Sequence, residues 1–277
     1  MKRTTILLTL AALLMVGCRH GANELTTRTI SGEKCYQVLF DNDEAPWGTD
    51  FYTKADFKLE WPTKGAMSAE AERELLLLYF MDSAATDFDE AAQRWLATPF
   101  SYEEEMDCER KPVKSIDDNE EYGYMHLESS CTQDSVLAVF TVNTESFVLG
   151  AAHGMYSVDY LTIDKTTGNA VHIEDLVTDT NMLCEAVARA IQDLDVNKDT
   201  RECLFDEFRD TDRMPMPGNF IVDSARNSIM VVYGLYEITP YCCGIQSVVL
   251  PIFWLSKHVP LTPYAKRLFG PGCSVEK

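Results

Sequence analysis

Positive charge is scarce in this chain of 277 residues: Lys and Arg number 24 against 44 Asp and Glu, a formal charge of −20. Phosphate backbones need a basic face, so nucleic acid is excluded as a partner. No apolar run reaches the roughly 20 residues of a spanning helix. Repeats of 20–50 residues and low-complexity tracts are also missing. So are the G-x-S-x-G elbow, H-E-x-x-H, the Walker loop and the dinucleotide fingerprint. Neither C-x-x-C nor H-x-x-x-H spacing occurs, and no metal or cofactor is expected. What remains is ordinary globular composition, 46% hydrophobic and 25% charged, which excludes a disordered chain.

The first seventeen residues read as a secretory leader. Lys2 and Arg3 form a basic start, and Ile6 to Val16 is an apolar stretch broken only by Thr9, too short for a mature span and suited to a signal h-region. It ends in Met15-Val16-Gly17-Cys18. Small residues before a cysteine resemble a lipoprotein lipobox, with Cys18 as the acylated first residue. Palmitate-type acyl chains on Cys18 give stable anchoring, since two or more are needed to hold a protein on a membrane. The expectation is an exported protein, lipid-anchored in the cell envelope, facing the periplasm or the cell surface. Losing Lys2 and Arg3 takes the mature charge to −22. Residues 18–29 read as a tether. Eight further cysteines in an oxidising compartment allow disulfides in 105 pairings. Cys242 and Cys243 are not expected to pair with each other, because neighbouring Cα atoms lie about 3.8 Å apart.

Thr26 to Phe40 and Phe51 to Trp61 alternate polar and apolar residues and read as strands. Ser68 opens a helix running to Met81, and Asp87 or Asp89 caps a second one to Ala97. Ser101 to Glu121 is an acidic segment that reads as a solvated loop or edge. Tyr122–Ser130, Val136–Thr144 and Ser157–Asp164 have strand period. The turn Asp164 to Gly168 leads to a return strand over Val171–Ile173. Asn181 to Leu194 carries a clear amphipathic stripe of Leu183, Val187, Ile191 and Leu194, and Thr200 to Phe208 extends it as a second helix. Phe220–Asp223 and Ser228–Tyr233 form a hairpin, Ser247–Ile252 is a strand, and Thr262–Leu268 closes the chain as a helix. Blocks of strands and helices in this order predict an α+β fold, with antiparallel sheets, packed helices and a two-part architecture.

Two stretches stand out chemically. Gly150-Ala-Ala-His153-Gly154 places small residues around a histidine, so that the backbone can approach closely and hold the ring. Tyr233-Gly-Leu-Tyr236-Glu237-Ile-Thr-Pro-Tyr241-Cys-Cys-Gly244 gathers tyrosines around one carboxylate. A tyrosine has an apolar body and a polar tip, and so suits a recognition loop. The ligand-binding candidates are His153, Gly154, Tyr156, Tyr236, Glu237 and Tyr241. Each stretch also has a purely structural reading, a histidine locking a turn and tyrosines pinning a connection. The alternating acids Asp193, Asp195, Asn197 and Asp199 suggest a calcium loop, but Lys198 and Leu204 occupy the positions an EF-hand gives to Gly and Glu. A charged turn is the better reading.

The same residues carry a resemblance. Gly150 to Gly154, then Tyr160-Leu-Thr-Ile-Asp164-Lys-Thr-Thr-Gly168, then Glu174-Asp175-Leu176 resemble an extracytoplasmic domain segment that reads G-G-A-H-G, N-F-D-x-x-T-G, L-x-D-L-F. Tyr233 to Gly244, followed by Val248 to Pro251, resembles its second motif, F-Y-x-x-Y-E-I-A-P-Y-A-A-G and V-x-I-P. This is the family shared by the outer domain of the anti-sigma factor RsiV and the non-catalytic N-terminal domain of the deacetylase PdaC. Many members are lipoproteins of Bacteroides-type bacteria. Ala151 departs from its second glycine, and Cys242 and Cys243 from two alanines. The resemblance implies a two-part α+β domain outside the cytoplasmic membrane, with a PdaC-like part over 30–178 and an RsiV-like part over 179–277, and it does not imply deacetylase chemistry. Both motif stretches are expected to be parts of one folded body.

The function expected is a lipid-anchored binding module that recognises a cationic lysozyme-like protein or a peptidoglycan fragment. Its charge steers it toward basic partners. The alternatives are an envelope polymer-modifying enzyme using His153 with an acid such as Glu237 or Asp159, or a structural envelope lipoprotein. No catalytic residue is assigned.

Overall fold

A computed structural model describes residues 24–40, 50–65, 67–99, 108–117, 122–223, 225 and 227–270. Cys18, the leader and the first part of the tether lie outside the described residues. Two compact units divide the chain. One runs to Tyr156 and takes in Lys165–Asn169; the other comprises Ser157–Asp164 and the chain from Ala170 onward.

In the first unit, strands β1 (Thr26–Phe40) and β2 (Asp50–Lys64) form a long antiparallel ribbon. Strand β3 (Cys108–Val113) pairs antiparallel with the second half of β1. It lies within the acidic segment expected to be loop or edge. Strand β4 (Tyr122–Gln133) joins β2 on its other side, and β5 (Leu137–Phe147) follows β4 as a hairpin. The order is β3-β1-β2-β4-β5. The antiparallel expectation holds at every seam here except β2–β4, which is parallel. The physical reason is the connection: the chain leaves β2 and passes through two helices and β3 before it returns, and only such a crossover permits parallel pairing.

Those helices are α1 (Ala69–Phe80) and α2 (Phe88–Ala97). The Ser68 hydroxyl caps α1 by accepting from Ala71 N at 3.1 Å, and Asp87 caps α2 by accepting from Glu90 N at 3.0 Å. Each places acids in its first turn, where the helix dipole favours negative charge. Helix α1 ends at Met81, whose φ of 53° puts it in the left-handed region. The helices cover the face of the sheet that carries Phe57 and Leu59, burying Leu75, Tyr79, Phe80, Phe88 and Leu96. The Tyr79 hydroxyl donates to Glu60 O at 2.6 Å and accepts from Ser129 Oγ at 3.0 Å.

Strand β6 (Met155–Asp164) carries the chain into the second unit at Ser157. The expected return strand is reduced to one bridge, Ile163 to Ala170. The chain then turns directly into α3 (Ile173–Leu176), where Asp175 Oδ2 accepts from His172 N. Helix α4 (Thr180–Asp193) is capped by Asp179 and buries Leu183, Val187 and Ile191 of the predicted stripe, whereas Leu194, just past its end, is half-buried. The single helix expected over Thr200–Phe208 is two short ones, α5 (Lys198–Cys203) and α6 (Asp206–Arg209). A three-stranded antiparallel sheet follows, with β8 (Ser228–Tyr233) between β7 (Asn219–Asp223) and β9 (Gln246–Pro251). Helices α7 (Ile252–His258) and α8 (Pro263–Leu268) end the described chain. Asn197, one of the alternating acids and amides, is buried: its amide donates to Ala190 O and Val249 O and accepts from Val249 N. It completes the backbone bonding of β9. With two sheets, packed helices and two units, the fold is α+β.

Candidate functional site

The six candidate side chains are divided between the units. His153, Gly154 and Tyr156 belong to the first, and Tyr236, Glu237 and Tyr241 to the second. Gly150 takes a φ of 82° and Ala151 N donates to Val148 O, forming the turn that leaves β5. His153 Nδ1 lies 3.0 Å from the carbonyl oxygen of Gly154, a bond in which the ring nitrogen donates. A Cβ on Gly154 would sit 3.0 Å from Ser146 O, so the small residue lets the two backbones approach. In the second unit, Glu237 Oε2 accepts from Gly234 N at 2.8 Å and closes its own turn. Tyr236, at φ 63°, and Tyr241 bring their rings to 5.7 Å. The Tyr233 hydroxyl donates to Pro215 O, and burial pushes its ionisation far above the usual phenol value. Cys243 is joined by a disulfide to Cys203 at the end of α5, and Cys242 is exposed. Asp159, the other acid considered for His153, accepts from Ser157 Oγ at 2.9 Å.

Among the described residues, a concave feature lies elsewhere. A groove of about 860 Å³ runs in the first unit between the outer edge of β1, at Ile30–Lys34, and helix α2. Phe57, Phe88, Ala92 and Leu96 supply its apolar floor, and Glu33, Asp56, Lys58, Asp89, Gln93 and His126 its polar rim. Phe57 sits in an aromatic cluster with Phe80, Phe88 and Trp95, at ring separations of 5.9, 6.1 and 6.3 Å. Gly32 lies directly opposite Phe57 in the β1–β2 register. A Cβ there would stand 2.7 Å from two atoms of the Phe57 ring. The glycine is therefore the space into which the ring closes.

The rim is a chain of charges on the sheet face away from the helices. His126 Nδ1 lies 2.5 Å from Asp56 Oδ1, Asp56 Oδ2 lies 3.5 Å from Lys54 Nζ, and Lys54 reaches Glu33 at 3.0 Å. Partial burial works against the Lys54 ammonium, but Glu33 and Asp56 outweigh it and hold the ammonium above its usual pKa. Lys58 pairs with Glu128 at 3.5 Å. Register places these groups: Glu33 faces Asp56 across β1–β2, and Asp56 faces His126 across β2–β4. Among the described residues no Ser, Thr or Cys side chain is hydrogen-bonded to His126. No cluster of three or more His, Cys, Asp or Glu side chains with metal-binding geometry occurs among the described residues.

Sequence reasoning missed this groove. His126 and Asp56 are 70 residues apart, and they meet only because β2 and β4 pair in parallel. One local signal was present: a glycine inside a strand pattern marks close approach, and Gly32 is such a glycine.

No protein-family model matches the sequence, and no curated protein matches it. Two solved structures are similar in fold. A DUF3298 family protein of Bacteroides fragilis gives a TM-score of 0.55 at 16% identity, covering 88% of this chain and 96% of the other. A DUF3298 family protein of Pseudomonas aeruginosa gives 0.52 at 14% identity, covering 87% and 96%. At such identities the likeness is one of architecture: this chain shares the fold of those DUF3298 family proteins.

Proposed function

We propose that the chain is a lipid-anchored binding module of the bacterial cell envelope. In this reading it recognises a cationic protein of lysozyme type, or a peptidoglycan fragment, in the groove between β1 and α2. The groove carries the reading: an apolar floor with a few placed polar groups is the usual form of a binding site. The formal charge of −20 supports a basic partner through long-range attraction. The leader ending at Cys18 supports the anchor, and the resemblance to the RsiV and PdaC domains supports an extracytoplasmic address. Glu237 and Asp159 already serve as backbone and hydroxyl acceptors in the second unit, which favours binding over an enzyme built on His153.

The test is titration calorimetry of the native lipoprotein in detergent, with a basic lysozyme and with a soluble muropeptide, at low and high salt. Heat is expected with one of the two, and the lysozyme heat should shrink at high salt. Ala92→Arg, which fills the groove floor, should abolish it. No heat with either ligand refutes the reading, and unchanged binding by the Ala92 variant removes the groove from it. Mass spectrometry of the native N-terminal peptide should show acyl chains on Cys18; an unmodified cysteine rules out the anchor.

A further inference from the structure

Strand β1 is unequally paired. Along nearly its whole length, Thr26 to Leu39, it bonds to β2, but on the other side β3 covers only Cys35 to Phe40. From Thr26 to Lys34, about 30 Å of strand at the usual rise, no strand pairs with its outer side among the described residues. An unpaired edge displays backbone N–H and C=O groups that a second extended chain can bond.

Two prolines show which groups face outward. Proline has no N–H, so in a ladder it occupies the non-hydrogen-bonded positions. Pro62 of β2 stands opposite Thr27, and Pro112 of β3 stands opposite Tyr36. Odd residues of β1 therefore turn their N–H and C=O away from β2, and even residues turn theirs toward it. A third observation agrees. Glu60, opposite Thr29, donates its N–H toward β4, to Ser129 Oγ at 2.8 Å. The backbone groups of Thr27, Thr29, Ser31 and Glu33 thus point out of the sheet edge, and the groove runs beside the last two of them.

The groove is a strand edge with a helix as its second wall, the arrangement that accepts an added strand. Resting on the binding reading above, we infer that it takes its ligand as an extended polypeptide of another protein, hydrogen-bonded along Thr29 to Glu33 of β1. Side chains of the added strand alternate between the two faces. Those opposite Ile30 and Gly32 lie on the α2 side, over Phe57, Ala92 and Leu96, and are apolar. Those opposite Ser31 and Glu33 lie on the side of Glu33, Asp56 and Glu128, where three carboxylates face the two ammoniums of Lys54 and Lys58, and are basic. The ligand is a β-prone stretch alternating apolar and cationic residues.

The probe is a capped synthetic peptide of about ten residues alternating Val and Lys, added to the native protein. Binding is expected to slow amide hydrogen exchange at Thr29, Ser31 and Glu33. Ser31→Pro deletes one outward N–H and leaves the β2 ladder intact, and should weaken binding by about tenfold, whereas Ser31→Ala should bind as the parent. If the proline variant does not fold, the peptide carries the test. N-methylation of the alternate nitrogens facing β1 should abolish binding, and methylation of the other set should leave it. The inference is overturned if these amides are already protected in the free protein, if neither methylated set affects binding, or if the peptide does not bind. Lysozyme binding that survives Ser31→Pro overturns strand addition but not the binding reading. Peptide binding without lysozyme or muropeptide binding does the reverse.

Discussion

The closure of the Phe57 ring onto Gly32 offers a sharp test of the packing beneath the groove. Gly32→Ala introduces a Cβ 2.7 Å from Cε1 and Cζ of Phe57 and 3.3 Å from Leu96 Cδ1, where carbon atoms in contact prefer about 3.5–4 Å. The ring cannot swing aside freely, because Phe80, Phe88 and Trp95 pack around it. Overpacking of this kind costs about 1–3 kcal/mol. The backbone at Gly32 is ordinary extended strand, so alanine restores some stability by restricting the unfolded chain, about 0.4–1 kcal/mol. The net expectation is destabilisation of about 1–2 kcal/mol, read as a lower urea midpoint at unchanged slope. Trp61 and Trp95 fluorescence reports on this unit. Phe57→Leu is destabilising alone, but should cost less in the alanine background, with a coupling of at least about 0.5 kcal/mol. If Gly32→Ala is as stable as the parent, or the two changes are additive, the ring does not depend on the absent side chain and the reasoning is wrong.

Three further outcomes are expected. Cys203→Ser opens a loop with a sequence separation of 40 and should cost up to about 4 kcal/mol on the loop-closure model; equal melting temperatures with and without reductant would contradict it. Lys54→Met should lower stability by about 0.5 kcal/mol at neutral pH. Because Glu33 and Asp56 raise the folded-state pKa of Lys54, its contribution is complete below the unfolded-state value and fades as pH rises through the folded one. A deficit that grows at alkaline pH would refute this linkage. The Cys131 thiol is pushed up to about 12 by burial, with Glu60 adding to the effect. At mildly alkaline pH, iodoacetamide should therefore label exposed Cys242 before Cys131, and mass spectrometry of the two peptides gives the order.

Much of the fold was legible because its signals are local. In the sequence Ser68 begins one helix and Asp87 or Asp89 a second; in the structure Ser68 and Asp87 each cap one by bonding a backbone amide three residues on. The stripe of Leu183, Val187, Ile191 and Leu194 needs only helical period to be seen, and its first three residues are the buried face of α4. What failed depended on distant partners. The Val171–Ile173 return strand dwindled to one bridge at Ala170, because the chain turns straight into α3. The acidic stretch after α2, read as loop or edge, does hold an edge strand, β3, but its pairing with Cys35–Phe40 leaves no periodic mark from which its bounds can be read.

The sequence by itself determined the charge, the α+β class and the character of its two unusual loops, since composition, period and capping act within a few residues. Tertiary structure alone decided where a concavity forms. The groove exists because β3 is too short to cover β1, and its rim exists because parallel pairing sets His126 beside Asp56. Both are facts of register between segments far apart in the chain, and register is set by how whole faces bury, which no short stretch of residues encodes.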